Sequence, residues 1–246
     1  MGIEGAIDWR EATASALAWW EEAGVDIVID DLPRDWTARD KPAAAAPAPN
    51  SAPAAVQEEE ALPLPATLEA FIDWRFGAGA PEAAWGEPLV HVSGDPAAPL
   101  MVITDLPDPS DCAAGTLLTG DAGRLFDRML AAIGQDRQTV YLVSLCAARP
   151  ITGQLPRESM DRLTELARHH VALAEPKRLL MLGATVSRAI LGADQPSWRG
   201  RLQPINYQGG QSEAVATYHP RFLLDRPALK ADAWKDLQLL IGGQNQ

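Results

Sequence analysis

The sequence predicts an α/β fold: a three-layer α/β/α sandwich around a largely parallel, four-stranded central sheet. Three observations lead there. Short apolar runs alternate with helical periodicities along residues 66–241. The runs are continuously apolar instead of alternating with polar residues, as strands covered on both faces must be. At 246 residues and 47% hydrophobic, the chain is long and apolar enough for a sizeable core.

The elements follow in order. Residues 66–77 (ATLEAFIDWRFG) read as the first helix of the main domain. LMVIT at 100–104 follows Pro-rich turn residues and reads as a buried strand. Residues 120–133 form a helix, with Ala122, Leu125, Phe126, Met129, Leu130 and Ile133 on one face and Gly134 as its stop. VYLVSL at 140–145 is the second strand. A helix over 156–174 carries Leu163, Leu166, Ala167, His170 and Val171 on one face. RLLML at 178–182 is the third strand, with a helix at 184–191. AVATY at 214–218 is the fourth, and a last helix fills 228–241. Ligands of such sheets sit beyond the carboxyl ends of the strands. Segments 104–119, 144–157, 183–185 and 218–226 are therefore the ones to search.

Ahead of this domain (66–246) the composition changes. Residues 1–40 are an acidic segment with an amphipathic helix over 8–24, in which Ala16, Leu17, Trp20 and Val25 recur near helical spacing and Gly24 is the stop. Residues 41–65 are an Ala/Pro-rich linker, whose prolines break any helix. The net charge of −12 is unevenly spread: residues 1–61 carry −9, whereas Arg128 onward carries +5. The acidic total thus leaves nucleic-acid binding by the C-terminal part open. No apolar run reaches the roughly 18 residues of a membrane-spanning helix, and the opening MGIEGAIDWREA lacks the pattern of a secretory signal. A cytoplasmic protein with no membrane partner is expected.

The string LMVITDLPDPSDCAAGTLLTGDAGRLFDRMLAAIG resembles the first motif region of the uracil-DNA glycosylase superfamily, most closely the iron–sulfur (family 4) type. VYLVSLCAARP, EPKRLLMLGATVSRAILG and ATYHPRFLLDRPALKADAWKDL resemble, in order, its later motifs. The resemblance spans roughly residues 66–241. It implies a monomeric base-excision DNA repair hydrolase that flips a deaminated base out of single- or double-stranded DNA and hydrolyses its N-glycosidic bond. Carried over position by position, it makes Asp105 and His219 the catalytic pair. The acid orients water or stabilises the cationic sugar. The histidine stabilises charge on the leaving base. Leu106, Pro107, Leu118 and Ser144 fall on substrate-binding positions. Pro220, Arg221, Phe222 and Leu223 fall on the DNA-binding loop.

Several of these positions depart from the pattern. Thr104 and Asp108 stand where the family has glycines, adding a branched Cβ and a carboxylate that opposes DNA. Leu118 replaces an aromatic that stacks on the base. Ser144 replaces an asparagine whose amide reads the pyrimidine edge. Two positions of the family's cluster cysteines correspond to Ala148 and Leu163, and no Cys-x-x-Cys precedes Leu100. No iron–sulfur cluster, and no other cofactor or metal, is expected. Reduced or altered activity follows from this reading. The alternative is a catalytically inactive relative that serves as a DNA- or protein-binding module, with residues 1–40 as the segment for a protein partner.

Other candidates read more plainly. Cys146 is a buried small hydrophobe, and Cys112 in a polar loop has no activating neighbour in sequence. Adjacent His169 and His170 point about 100° apart on a helix and cannot share a metal in the i, i+4 manner. His91 is isolated. Gly120 and Gly123 open a helix that could accept a phosphate, but Asp121 already occupies the favourable end of the dipole. His219 before a proline, taken alone, is a structural histidine, and Asp105 alone is a turn acid.

Overall fold

The computed structural model describes residues 64–77, 80–85, 89–192, 199–207 and 209–242 and, ahead of them, Ser15. Apart from Ser15, the expected helix at 8–24 and the acidic segment lie outside the described residues, as does nearly all of the linker. The chain divides into two units, Met1–Glu58 and Glu59–Gln246, and the elements below belong to the second.

The four expected strands are present and parallel: β2 (Leu100–Thr104), β3 (Val140–Ser144), β4 (Arg178–Leu182) and β6 (Gly210–Thr217). Two antiparallel edge strands extend them, β1 (Ser93–Gly94) on β3 and β5 (Leu202–Tyr207) on β6. The sheet order is β1-β3-β2-β4-β6-β5. The sequence reading missed β5 because LQPINY is only half apolar and contains Pro204. Both features suit an edge, where a missing N–H costs no ladder bond. The Gly209-Gly210 pair beside Tyr207 was the available hairpin signal.

Helices cover both faces. Met101, Ile103, Tyr141, Val143 and Met181 face one way and pack with Leu163, Ala167 and Val171 of α4 (Met160–Ala174) and Val186 and Ile190 of α5 (Ala184–Leu191). Val102, Leu142, Leu180 and Val215 face the other way. They pack with Phe126 and Leu130 of α3 (Gly120–Ala132) and Leu237 and Leu240 of α7 (Lys230–Gly242). Each fully buried leucine contributes about 1.5–3 kcal/mol by leaving water, so the central strands hold the helices as much as the reverse. Leu68–Arg75 forms α1, shorter than expected, with Thr67 accepting a capping hydrogen bond from Ala70 N–H. Two short helices were not anticipated, α2 (Pro109–Ala114) and α6 (Pro220–Asp225). They follow the carboxyl ends of β2 and β6, and both begin at proline, which is pre-set for the first helical position. No helix among the described residues is long and apolar enough to cross a membrane.

His170 of α4 lies inside this core. Its Nε2 is 2.8 Å from the Tyr141 hydroxyl, and Phe71 meets its ring edge-on. Burial pushes its imidazole down to about 3, so the ring is neutral in the fold. The unfolded chain takes up a proton near pH 6.5, and stability is therefore full above that pH and lost as pH falls toward 3. Urea titrations should show a loss of about 2 kcal/mol from this group between pH 7 and pH 5. His170→Gln, which keeps a hydrogen-bonding group, should flatten that slope. An unchanged slope would remove His170 as its source.

Candidate functional site

The strand register lines up the carboxyl ends of the sheet. Thr104 pairs with Ser144, and Leu182 pairs with Thr217. Asp105 follows Thr104 by one residue, and His219 follows Thr217 by two. The loop after β2 is held by backbone bonds from Leu145 N to Thr104 O (2.8 Å) and from Cys146 N to Asp105 O (3.0 Å). On the other side, Gly183 N donates to Thr217 O at 2.8 Å.

His219 caps α6. Its Nδ1 accepts the Arg221 backbone N–H at 3.1 Å. The neutral ring therefore carries its proton on Nε2, which lies 2.9 Å from Thr104 Oγ1 and 3.5 Å from Asp105 Oδ1. Burial pushes the imidazole below its ordinary value, against the opposing pull of Asp105. The site thus holds a neutral N–H donor beside a carboxylate.

Arg221 crosses this site. Its Nη2 donates to Asp105 Oδ2 at 3.1 Å, and its Nη1 donates to Asp108. Arg149 adds a second cation, 3.7 Å from Asp108, and donates to Pro107 O at 2.9 Å. The Asp108 carboxylate, expected from sequence to oppose DNA, is therefore paired with two guanidiniums. Asp111, nearly fully buried, accepts from Asp108 N–H (3.0 Å), Thr119 N–H (2.7 Å) and the Thr119 hydroxyl (2.6 Å), tying α2 to the start of α3. The acid three residues after Asp108 was the signal in sequence for that cap.

A cavity of about 360 Å³ opens here, lined by Asp105, Gly183, Ala184, Tyr218, His219, Arg221, Phe222 and Asp225. Asp105, His219, Arg221 and Phe222 are thus brought together. Leu106, Pro107, Leu118, Ser144, Pro220 and Leu223 are not among its lining residues. Pro220 and Leu223 are the buried residues of α6, whereas Phe222 is 38% exposed, tilted against Tyr218 at 5.5 Å between ring centres. Tyr218, which the sequence reading passed over, also carries the Arg199 guanidinium 3.7 Å above its ring. Arg199 in turn pairs with buried Asp236, which accepts from the Thr217 hydroxyl as well.

Leu118 is 1% exposed and packs in the core on the α3 side. Its φ of +54° is left-handed, a conformation that costs a branched-chain or bulky residue energy. The cause is local. Arg137 takes its carbonyl at 2.5 Å, and Gly123 lets that carbonyl approach to where a Cβ would stand 1.9 Å away.

The profile of the family described as the uracil DNA glycosylase superfamily matches residues 91–238. The chain belongs to this superfamily. A type-4 uracil-DNA glycosylase of Pyrobaculum aerophilum is 28% identical over 151 residues, covering 58% of this chain and 77% of its own. The type-4 enzyme of Archaeoglobus fulgidus is 23% identical over 152 residues, 59% and 76% of the two chains. That of Thermotoga maritima is 25% identical over 127 residues, 51% and 66%.

For an iron–sulfur member of the superfamily, the residues present here do not fit the cluster. Four thiolates are needed, and the chain has two cysteines. Cys146 donates its thiol proton to Ala148 O at 2.8 Å, and burial pushes that thiol up, away from the thiolate a ligand must be. Ala148 and Leu163 are fully buried in apolar packing. A buried ion pair threads the same segment instead. Arg75 of α1 grips Glu82 through two contacts and reaches Leu145 O at 3.3 Å, while Ala147 N donates to Glu82 at 2.9 Å. Among the described residues, no group of three or more His, Cys, Asp or Glu is placed to hold a metal ion.

Two substitutions test this architecture. Glu82→Gln leaves a buried guanidinium uncompensated and should cost about 3–5 kcal/mol in chemical unfolding; chelators should leave the wild-type melting temperature where it was, and a drop would point to a metal. Gly123→Ala drives a Cβ into the Leu118 carbonyl, and a loss of at least roughly 2 kcal/mol should appear in the same assay. A neutral result would mean that the 118–123 turn relaxes freely.

Proposed function

We propose that this chain is a uracil-DNA glycosylase-type hydrolase of base-excision repair, working without a cluster and with reduced or altered activity. The observation that carries this reading is Asp105 Oδ1 at 3.5 Å from His219 Nε2, both on one cavity at the carboxyl end of the sheet. Superfamily membership and the type-4 names of its relatives support it.

DNA is the partner, and a base flipped from the stack is the substrate. As the N-glycosidic bond lengthens, its electron pair moves onto the base and positive charge grows on the sugar. The Asp105 carboxylate stabilises the sugar and takes a proton from the water that bonds to C1′. The neutral His219 donates its Nε2–H to the departing base, exchanging its Thr104 partner for the base oxygen. A donor already oriented in a dry site needs little reorganisation, which is where such catalysis gets its power.

One observation favours the second reading, a non-catalytic DNA- or protein-binding module with residues 1–40 as its segment for a protein partner. Asp105 is engaged by Arg221, and His219 by Thr104, so both groups have partners that a substrate must displace. A labelled single-stranded oligonucleotide containing uracil, treated with the protein and then with alkali, separates the two. Cleavage lowered roughly 100-fold or more by His219→Ala, and strongly by Asp105→Asn, is the expected result. Intact DNA binding with no cleavage of any damaged base would leave the module reading.

A further inference from the structure

Arg221 has a placement that a phosphate contact does not require. Its guanidinium is anchored on two carboxylates, Asp108 at Nη1 and Asp105 at Nη2, at 3.1 and 3.4 Å from the two oxygens of the latter. Asp105 and Asp108 are largely buried, at 14% and 18% side-chain exposure, and Arg149 lies 3.7 Å from Asp108. The Arg221 side chain keeps 37% exposure and lines the cavity with His219, Tyr218 and Phe222. A cation held this way is fixed in orientation and remains accessible. Gly183 and Ala184 add no bulk to the wall, and about 360 Å³ is ample for a bicyclic base.

We infer that Arg221 is a specificity-determining residue that reads the flipped base, and that it selects deaminated 6-oxopurines, hypoxanthine and xanthine, over uracil. This inference rests on the glycosylase reading above. A guanidinium carries five N–H donors in a planar fork, and its two carboxylate anchors do not use them all. The fork matches two adjacent acceptors, and the O6/N7 edge of a 6-oxopurine is that pair. Uracil has no two adjacent acceptors, because its carbonyls flank an N–H. Adenine presents a donor beside N7, which a guanidinium repels. Phe222, half-exposed on the cavity wall beside Tyr218, supplies aromatic surface for a purine. Ser144, without the paired donor and acceptor of an amide, supplies no competing pyrimidine reader. Guanine shares the O6/N7 edge but stays paired with cytosine, whereas a mispaired deaminated purine flips at lower cost.

The same contact helps the bond to break. The C1′–N9 electron pair stays on the purine and spreads toward N7 and O6, where the guanidinium meets it. The water oxygen bonds to C1′, its proton passes to Asp105 and on to solvent, and the purine anion takes a proton from solvent to leave as the neutral base.

The test uses the full chain and matched single-stranded oligonucleotides carrying one deoxyinosine, deoxyxanthosine or deoxyuridine. Single-turnover excision is measured, along with binding of the corresponding 2′-fluoro-arabino analogues, which resist cleavage. The wild type should prefer the purines to uracil by roughly tenfold or more. Arg221→Ala should lose roughly 10- to 100-fold on the purines and much less on uracil. Arg221→Lys keeps the charge and an anchor for both carboxylates but not the fork, so it should fold normally and still lose the preference. Equal losses on all three bases, or a gain on all three after Arg221→Ala, would overturn the inference, the latter marking Arg221 as a plug. Failure of the wild type to excise any base defeats the glycosylase reading; analogue binding then still decides the role of Arg221, upheld by a purine preference lost in both variants and overturned by its absence.

Discussion

The register of the four parallel strands is the constraint on which the site depends. Thr104, Ser144, Leu182 and Thr217 end their strands at one level, so the two loops that carry an acid and a histidine emerge side by side despite the 113 residues between Asp105 and His219. A two-residue shift would keep every side chain on its own face of the sheet and yet separate the pair by more than 6 Å. The apolar contacts on both faces hold that register, and they make no distinction between a catalytic relative and an inactive one. The fold is therefore a stage, and the chemistry rests on a few groups set on its edge.

Charge is managed locally at this edge. Asp105 and Asp108 would together repel a phosphate backbone, but Arg221 and Arg149 sit against them and leave the cluster close to neutral. The imidazole between them stays uncharged because burial outweighs the nearby acid. A neutral histidine keeps one donor and one acceptor, and the backbone N–H of Arg221 decides which is which. Arg221 therefore acts twice, through its main chain on His219 and through its side chain on the acids.

A second ion pair works elsewhere in the molecule and for another end. Arg75 and Glu82, paired through two buried contacts, join the first helix to the loop after β3 through two more, to Leu145 O and from Ala147 N. Such a pair gives little net stability over apolar packing, but it specifies geometry, because every other arrangement strands a charge. Beside it, Cys146 and Leu163 pack in the apolar core and Ala148 is fully buried. The loop after β3 is thus tied to the first helix by salt bridge and packing.

The strands LMVIT, VYLVS and RLLML, and the helices that alternate with them, were legible because their patterns are local. Continuous apolar runs need cover on both faces, and helical periodicity says which face is covered. Asp105 and His219 were legible as members of a motif. Their meeting at 3.5 Å was not, because it depends on how β2 and β6 align across β4. Arg221 was read as a DNA contact, and nothing nearby in sequence points to partners at positions 105 and 108. Leu118 and Leu223 look like pocket and loop residues along the chain, yet both side chains are drawn into the core. Sequence by itself determined the layers, the four parallel strands and the superfamily, since these follow from periodicity and ordered motifs. Only the tertiary structure decided which side chains share a cavity and which charges cancel, since both depend on distances that close across more than 100 residues of chain.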